Sequence, residues 1–237
     1  AGGGLMVLRV IDIETTGTDP ATDAIIEIAS VDVYKTPDGH GITSQREALV
    51  FPGRDIPPAS SAVHHLIDAD VANAKRIEEV IKDFDTANAY VAHNCAFERS
   101  FLDKYFGDAT WVCTMKCALR VWPDAPGHSN QTLRYWRGHV SPFGWNRDNL
   151  APHRALSDAV VTAAIFVDLI AEASWKQLVE WTAEPALYST LTFGKHRGTK
   201  YIDAPEDYLD WIANKSDMDA DTKFSARYWL EHRPEAA

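Results

Sequence analysis

Asp12, Glu14, Glu98, His153 and Asp158 are the side chains whose types and spacing point to chemistry in this 237-residue chain. Residues 7–13, Val-Leu-Arg-Val-Ile-Asp-Ile, predict a strand buried on both faces. Such a strand should hold no acid, yet Asp12 and Glu14 stand two apart, so their side chains leave the same face. Carboxylates about 7 Å apart on one buried face repel each other and lose hydration. No Lys or Arg adjoins them on that face in the local sequence. A divalent cation is the simplest partner, and oxygen-only ligands favour Mg²⁺ or Mn²⁺ over zinc. The alternative is that the two acids end the strand and cap the turn Thr15-Thr16-Gly17. Glu98 follows His93-Asn94-Cys95-Ala96-Phe97, where a strand gives way to a helix. The helix dipole favours an acid there, and Asn94 reads as the cap. His153 follows Pro152 in a loop, and Asp158 lies five residues on, near the start of a long apolar helix. Taken singly, each also fits ordinary helix-start chemistry or a solvated loop.

The elements that must position these groups follow from hydropathy patterning. Strands are predicted over 7–13, 25–34 and 46–51, with Pro37-Asp38-Gly39 as a turn, making an antiparallel meander. A mostly helical part follows Pro57-Pro58: a short segment over 60–66 with His64-His65 inside it, and a helix over 70–84. Tyr90–His93 reads as a short buried strand and 97–106 as the next helix. Thr110–Cys113 reads as another strand, Thr114 as the cap of a helix to Trp122, and 131–137 as a short helix. Residues 155–175 form the long helix, and 176–190 are less periodic. From Leu191 the chain has its own strand-turn start, Thr192–Gly198, then an aromatic-rich helical part. Strands first, then strands alternating with helices, predict a mixed sheet with helices on both faces.

Composition bounds the reading. The chain is 46% hydrophobic and 24% charged, ordinary for a soluble globular protein. No apolar run is long enough to span a bilayer, so no membrane partner is expected. Ala1-Gly2-Gly3-Gly4 reads as a flexible leader, and no secretory signal is visible. The odd number of cysteines, Cys95, Cys113 and Cys117, fits free thiols in a reducing cytoplasm. Cys113 and Cys117 have helical spacing without further ligands at zinc spacing. A formal net charge of −11 argues against coating nucleic acid by bulk electrostatics. It leaves room for an enzyme that grips an end through metals and a few local cations.

Asp-x-Glu on a strand, an acid at a strand-to-helix junction and His-x4-Asp entering a later helix occur here in one order. The set over residues 7–175 resembles the DEDD-type 3′→5′ exonuclease superfamily in its histidine, DnaQ-like branch. Asp12–Gly17, His93–Glu98 and His153–Asp158 match its three motifs, and Ala62–Ile67 resembles a segment between the first two. Phe193-Gly194-Lys195-His196-Arg197-Gly198 followed by Tyr208-Leu209-Asp210-Trp211-Ile212 resembles the C-terminal module of exodeoxyribonuclease X-type proteins, and Thr114–Lys116 and Leu119–Pro123 sit where that family has similar residues.

The resemblance implies an α/β, ribonuclease H-like fold: a five-stranded mixed sheet flanked by helices, plus a small C-terminal module. An exonuclease domain would occupy 1–178 and the module 186–237. It also implies metal-dependent removal of nucleoside 5′-monophosphates from DNA 3′ ends, with a role in DNA repair. RNA ends, or a weakly active nucleic-acid-binding relative, are the alternatives. Two Mg²⁺ or Mn²⁺ ions about 3.5–4 Å apart would hold the scissile phosphate. Asp12 would touch both; Glu14 and Asp158 would serve the ion that holds the attacking water, Glu98 the other, and His153 would accept the proton. Thr15, Thr16 and Gly17 would meet the terminal nucleotide through backbone N–H groups, with Gly17 permitting a positive φ. His64 and Phe97 would reach the terminal nucleotide, or would be a surface histidine and a core residue. Asn94 would order the second motif. Lys195 and Arg197 would hold phosphates, or would be a solvated turn. Relatives often pair as homodimers, though no surface here identifies one. One position departs from the pattern: the second-motif acid is normally Asp, and Glu98 moves the carboxylate by roughly 1.3–1.5 Å. Mg²⁺ tolerates little such displacement, so reduced activity or a preference for Mn²⁺ follows.

Overall fold

The computed structural model describes residues 7–36 and 39–233. The leader Ala1–Gly4 and the turn residues Pro37 and Asp38 lie outside the described residues. In chain order the elements are strands β1 (Leu8–Thr15), β2 (Ile25–Thr36) and β3 (Gly39–Leu49), then helices α1 (Pro58–His64), α2 (Asp68–Val71) and α3 (Ile77–Val80). After these come β4 (Ala89–Ala92), α4 (Ala96–Phe106), β5 (Thr110–Cys113), α5 (Thr114–Val121), α6 (Asn130–Trp136), α7 (Ala155–Glu172) and α8 (Trp175–Ala183). The tail holds α9 (Glu206–Asn214) and α10 (Ala220–Glu231). The sheet order is β3-β2-β1-β4-β5. The first three strands pair antiparallel, and β4 runs parallel to both β1 and β5. This is the expected five-stranded mixed sheet.

Side-chain alternation divides the core between the two faces of the sheet. Val10, Val31, Val91 and Val112 point to the face covered by α7, with α5, α6 and α8 beside it. Ile11, Ile13, Ile28, Tyr90 and Trp111 point to the other face, packed by Phe101 and Leu102 of α4 and by Val80, Ile81 and Phe84. Asp12 and Glu14 share the parity of Val10 and therefore face α7. The tail has its own cluster of Leu191, Tyr201, Leu209, Ile212 and Ala226. It is joined to the rest through Ser189, whose hydroxyl donates to Pro123 O (2.8 Å), and an ion pair of Lys200 with Asp124 (2.8 Å).

Several expectations need correction. The helix over 70–84 is broken into α2, α3 and a single 3₁₀ turn. The Phe51 N–H needs a partner and takes Lys75 O at 2.9 Å, which pulls residues 75–76 into extended backbone. The long helix ends at Glu172, because Ser174 caps a separate helix, α8, with Gln177 closing the capping box. Thr114 does not cap α5. It is the first helical residue, and its hydroxyl meets His93 Nδ1 (2.9 Å). The tail opens with one isolated bridge, Thr190 to Lys200, in place of a strand. All three cysteines are free and buried.

Candidate active site

β1 brings Asp12 and Glu14 to the C-terminal end of the parallel strands, β4 delivers Glu98 on the first turn of α4, and α7 delivers Asp158. Asp12, Glu14, Asn94, Phe97, Glu98, His153 and Asp158 line one cleft of about 510 Å³. Ligand atoms of Glu14, His153 and Asp158 lie within 4.8 Å of one another, a group suited to a divalent metal. Burial, then repulsion from Asp158, Glu98 and Glu14, raises the Asp12 carboxyl well above its ordinary range. Burial first, then Asp158 and Glu27, pushes Glu14 up to about 8. Asp158 is raised mainly by burial. Glu98 is 3% exposed, is raised by burial, and leaves Oε2 without a hydrogen-bond partner. Four crowded acids, one with an orphaned oxygen, fit a hard cation as the missing counter-charge.

The third motif is held by its own backbone. The His153 N–H donates to Asp158 Oδ2 (2.7 Å), and His153 stands at φ 59, the left-handed region, uncommon for a residue with a Cβ. This turn aims the exposed imidazole over the cleft.

A model of the exonuclease family matches residues 10–166. The chain belongs to the exonuclease family. This exonuclease is 38% identical over 234 residues to exodeoxyribonuclease 10 of Escherichia coli (strain K12), covering 95% of this chain and 100% of that one. It is 30% identical over 178 residues to the DNA polymerase III subunit epsilon of Aquifex aeolicus, covering 70% of this chain and 82% of the relative. A solved structure of exonuclease X in complex with 5′-overhanging duplex DNA superposes with a TM-score of 0.62 at 38% identity, over 74% of this chain and 99% of that one. The family match runs from β1 into α7, and the fold is that of the exonucleases. By family, the protein is a nuclease that hydrolyses nucleic acid from an end.

Not every residue expected at the site lies in the cleft. The Thr16 N–H is committed to Ala24 O (2.9 Å), and its hydroxyl donates to Asp23 Oδ1 (3.0 Å) and accepts from the Ala24 N–H (3.0 Å). Thr16 therefore builds the turn and has no free N–H for a nucleotide. The Thr15 hydroxyl donates to Gly17 O (2.5 Å). Gly17 is not at positive φ; its requirement is space, since a Cβ there would lie 2.4 Å from the Asp23 carboxylate. His64 is no surface residue. It is 2% exposed, accepts from the Leu66 N–H through Nδ1 (3.0 Å), keeps Nε2 unpartnered, and is lowered chiefly by burial. Asn94 lines the cleft but makes no capping bond; it turns the chain at φ 64. Phe97 has one side on the cleft and meets Phe101 edge-on at 5.3 Å. Lys195 and Arg197 lie in the tail and do not line the cleft.

Three supporting residues escaped the sequence reading. Glu27 on β2 pairs in register with Glu14 and is 0% exposed. It accepts from Arg154 Nη2 (2.6 Å) and Nε (3.1 Å), and from the Ala155 N–H (3.0 Å). This clamp fastens the start of α7, and with it His153 and Asp158, to the meander. Gln131 donates to Asp158 Oδ1 (3.0 Å) and accepts from Arg134 Nη1 (3.1 Å), whose own side chain is buried. An acid inside Ile25-Ile26-Glu27-Ile28-Ala29 was the available signal for Glu27, of the same kind that marked Asp12.

Proposed function

We propose that this exonuclease removes nucleoside 5′-monophosphates from DNA 3′ ends, using Asp12, Glu14, Glu98, Asp158 and His153. The observation that carries this reading is the convergence of all five side chains on one cleft. Asp12, Glu14, Glu98 and Asp158 would hold two Mg²⁺ or Mn²⁺ ions. Such ions, when bound, supply Lewis acidity at the phosphate and lower the pKa of a water. The protein's own part is positioning and proton transfer. The His153 imidazole accepts a proton of the attacking water as the water oxygen bonds to phosphorus; the P–O3′ bond breaks, and O3′ leaves on the shortened strand and takes a proton from solvent. Gln131 and the His153 N–H fix the Asp158 carboxylate on both oxygens, while the Glu27–Arg154 clamp sets the distance of α7 from β1. Phe97 would lie against the terminal base, His64 and the Thr15–Gly17 turn near the last nucleotide, and Lys195 with Arg197 on more distant phosphates.

We read residues 1–178 as the exonuclease domain and 186–237 as the appended module, in a cytoplasmic DNA-repair enzyme. The buried free thiols agree with a reducing compartment. DNA is favoured because the relatives of highest identity reported above are named for it, and RNA 3′ ends are the second substrate class. The test is digestion of 5′-labelled DNA and RNA of one sequence in Mg²⁺ or Mn²⁺. A ladder shortened from the 3′ end on DNA, abolished by chelator and by Asp12→Asn, is expected. Intact substrate in both metals would overturn the reading.

A further inference from the structure

The tail carries an aromatic surface that its own core covers only in part: Tyr208 is half-buried against the module's cluster, and Trp211 is exposed. On α9, Leu209, Ile212 and Ala213 turn inward to the module's cluster, while Tyr208 and Trp211, three residues apart, share another face. Trp211 is 46% exposed. The Tyr208 and Trp211 rings lie nearly parallel, 24° apart in plane, with centroids 5.9 Å apart. His196 meets Tyr208 edge-on at 4.6 Å, and Lys195 Nζ stands 5.6 Å from the Tyr208 ring centre. Lys195, Asp207, Tyr208 and Trp211 line a shallow hollow of about 340 Å³.

The turn Gly194–Gly198 is built to sit against this face. Gly194 has φ +66, and a Cβ there would lie 2.4 Å from Tyr208 Oη. A side chain at 194 would therefore push the turn off the ring. Lys195 and Arg197 are exposed on that turn. Two other tail lysines have carboxylate partners, Lys200 with Asp124 and Lys215 with Asp210. Lys195 and Arg197 have none among the described residues.

We propose that the Tyr208–Trp211 face, with the Lys195–Arg197 turn beside it, is a stacking site for single-stranded nucleic acid. The occupant rests on the exonuclease reading, which supplies the polymer; the face itself selects its single-stranded form. An indole open to solvent, set beside a half-buried tyrosine ring and unpaired cations, matches a chain that alternates π faces with phosphates. A duplex hides those faces in its own stack, and the protein's net charge of −11 gives no bulk attraction for one. Asp207 adds an acceptor for base N–H groups at the rim.

Binding without turnover tests this. Anisotropy of a fluorescein-labelled oligothymidylate of about 20 nucleotides, longer than a single stacking site covers, is read against full-length protein in EDTA. A blunt duplex of equal length is the comparison. Trp211→Ala should weaken single-strand binding by about 5- to 50-fold, and Trp211→Phe, which keeps a ring, should stay within about threefold of the natural chain. Lys195→Gln with Arg197→Gln should reduce the slope of log affinity against log salt by about 1.4. Unchanged affinity in Trp211→Ala overturns the proposal, as does an equal loss on duplex and single strand. Failure of the exonuclease reading shows separately: the natural chain would leave 3′ ends uncut in Mg²⁺ and Mn²⁺, whatever it binds in EDTA.

Discussion

Glu14 and Glu27 face each other across β1 and β2, a like-charge pair that a sheet disfavours. Arg154, 127 residues from Glu27 in the chain, turns that conflict into a clamp. Arg154→Ala leaves Glu27 buried and unpaired. We expect a loss of up to about 3 kcal/mol, seen as a fall of about 5–10 °C in Tm, with kcat reduced as His153 and Asp158 drift. Arg154→Lys should recover stability better than rate, since an ammonium cannot reproduce the forked contact. At Glu98 the buried carboxylate leaves one oxygen idle. Glu98→Asp should raise the Mg²⁺ rate relative to the Mn²⁺ rate, and Glu98→Gln should lower both by about two orders of magnitude in single-turnover assays. The crowded acids also set a pH dependence. Glu14 has an ordinary value of 4.5 and is pushed up to about 8; Asp12, Glu98 and Asp158 are likewise raised. A raised acid binds more protons folded than unfolded, so its penalty is absent below the unfolded value and complete above the folded one. The chelated protein should therefore melt lower at pH 9 than at pH 6. Asp12→Asn should flatten that difference, and Mg²⁺ should raise Tm more at the higher pH.

Short turns set the accuracy of the site. Asn94, at φ 64, swings the chain from β4 into α4 so that Glu98 enters the cleft. Asn94→Ala should cost about 1 kcal/mol in chemical denaturation, while Asn94→Gly should be close to neutral. Such turns separate what the sequence discloses from what it hides. Asp12, Glu14 and Glu98 were legible because each is a local contradiction or junction: acids in an apolar strand, an acid where strand meets helix. β5 was legible to its ends because Trp111 and Val112 alternate cleanly between two buried faces. The clamp was hidden because its halves lie on different elements, and nothing near Glu27 announces Arg154. The break within 70–84 was hidden because its cause is one hydrogen bond, Phe51 to Lys75, across the fold. The start of α8 was written plainly in Ser174-Trp175-Lys176-Gln177, but the apolar run before it masked the capping box.

At the scale of the molecule, the tail touches the sheet domain through few polar links, among them Lys200 with Asp124 and Ser189 with Pro123. Gly194→Ala should disturb the turn that seats against Tyr208 while leaving the sheet's two cores alone. Calorimetry should then show an early transition ahead of the main one. The shut-away cysteines have another use. Cys95, Cys113 and Cys117 flank the β4–β5 edge that delivers Glu98, and all three are buried. A thiol reagent added to the native chain can react only as fast as that edge breathes. The protein thus carries three built-in reporters, and alkylation kinetics with and without manganese would time how long the acid-bearing edge stays closed.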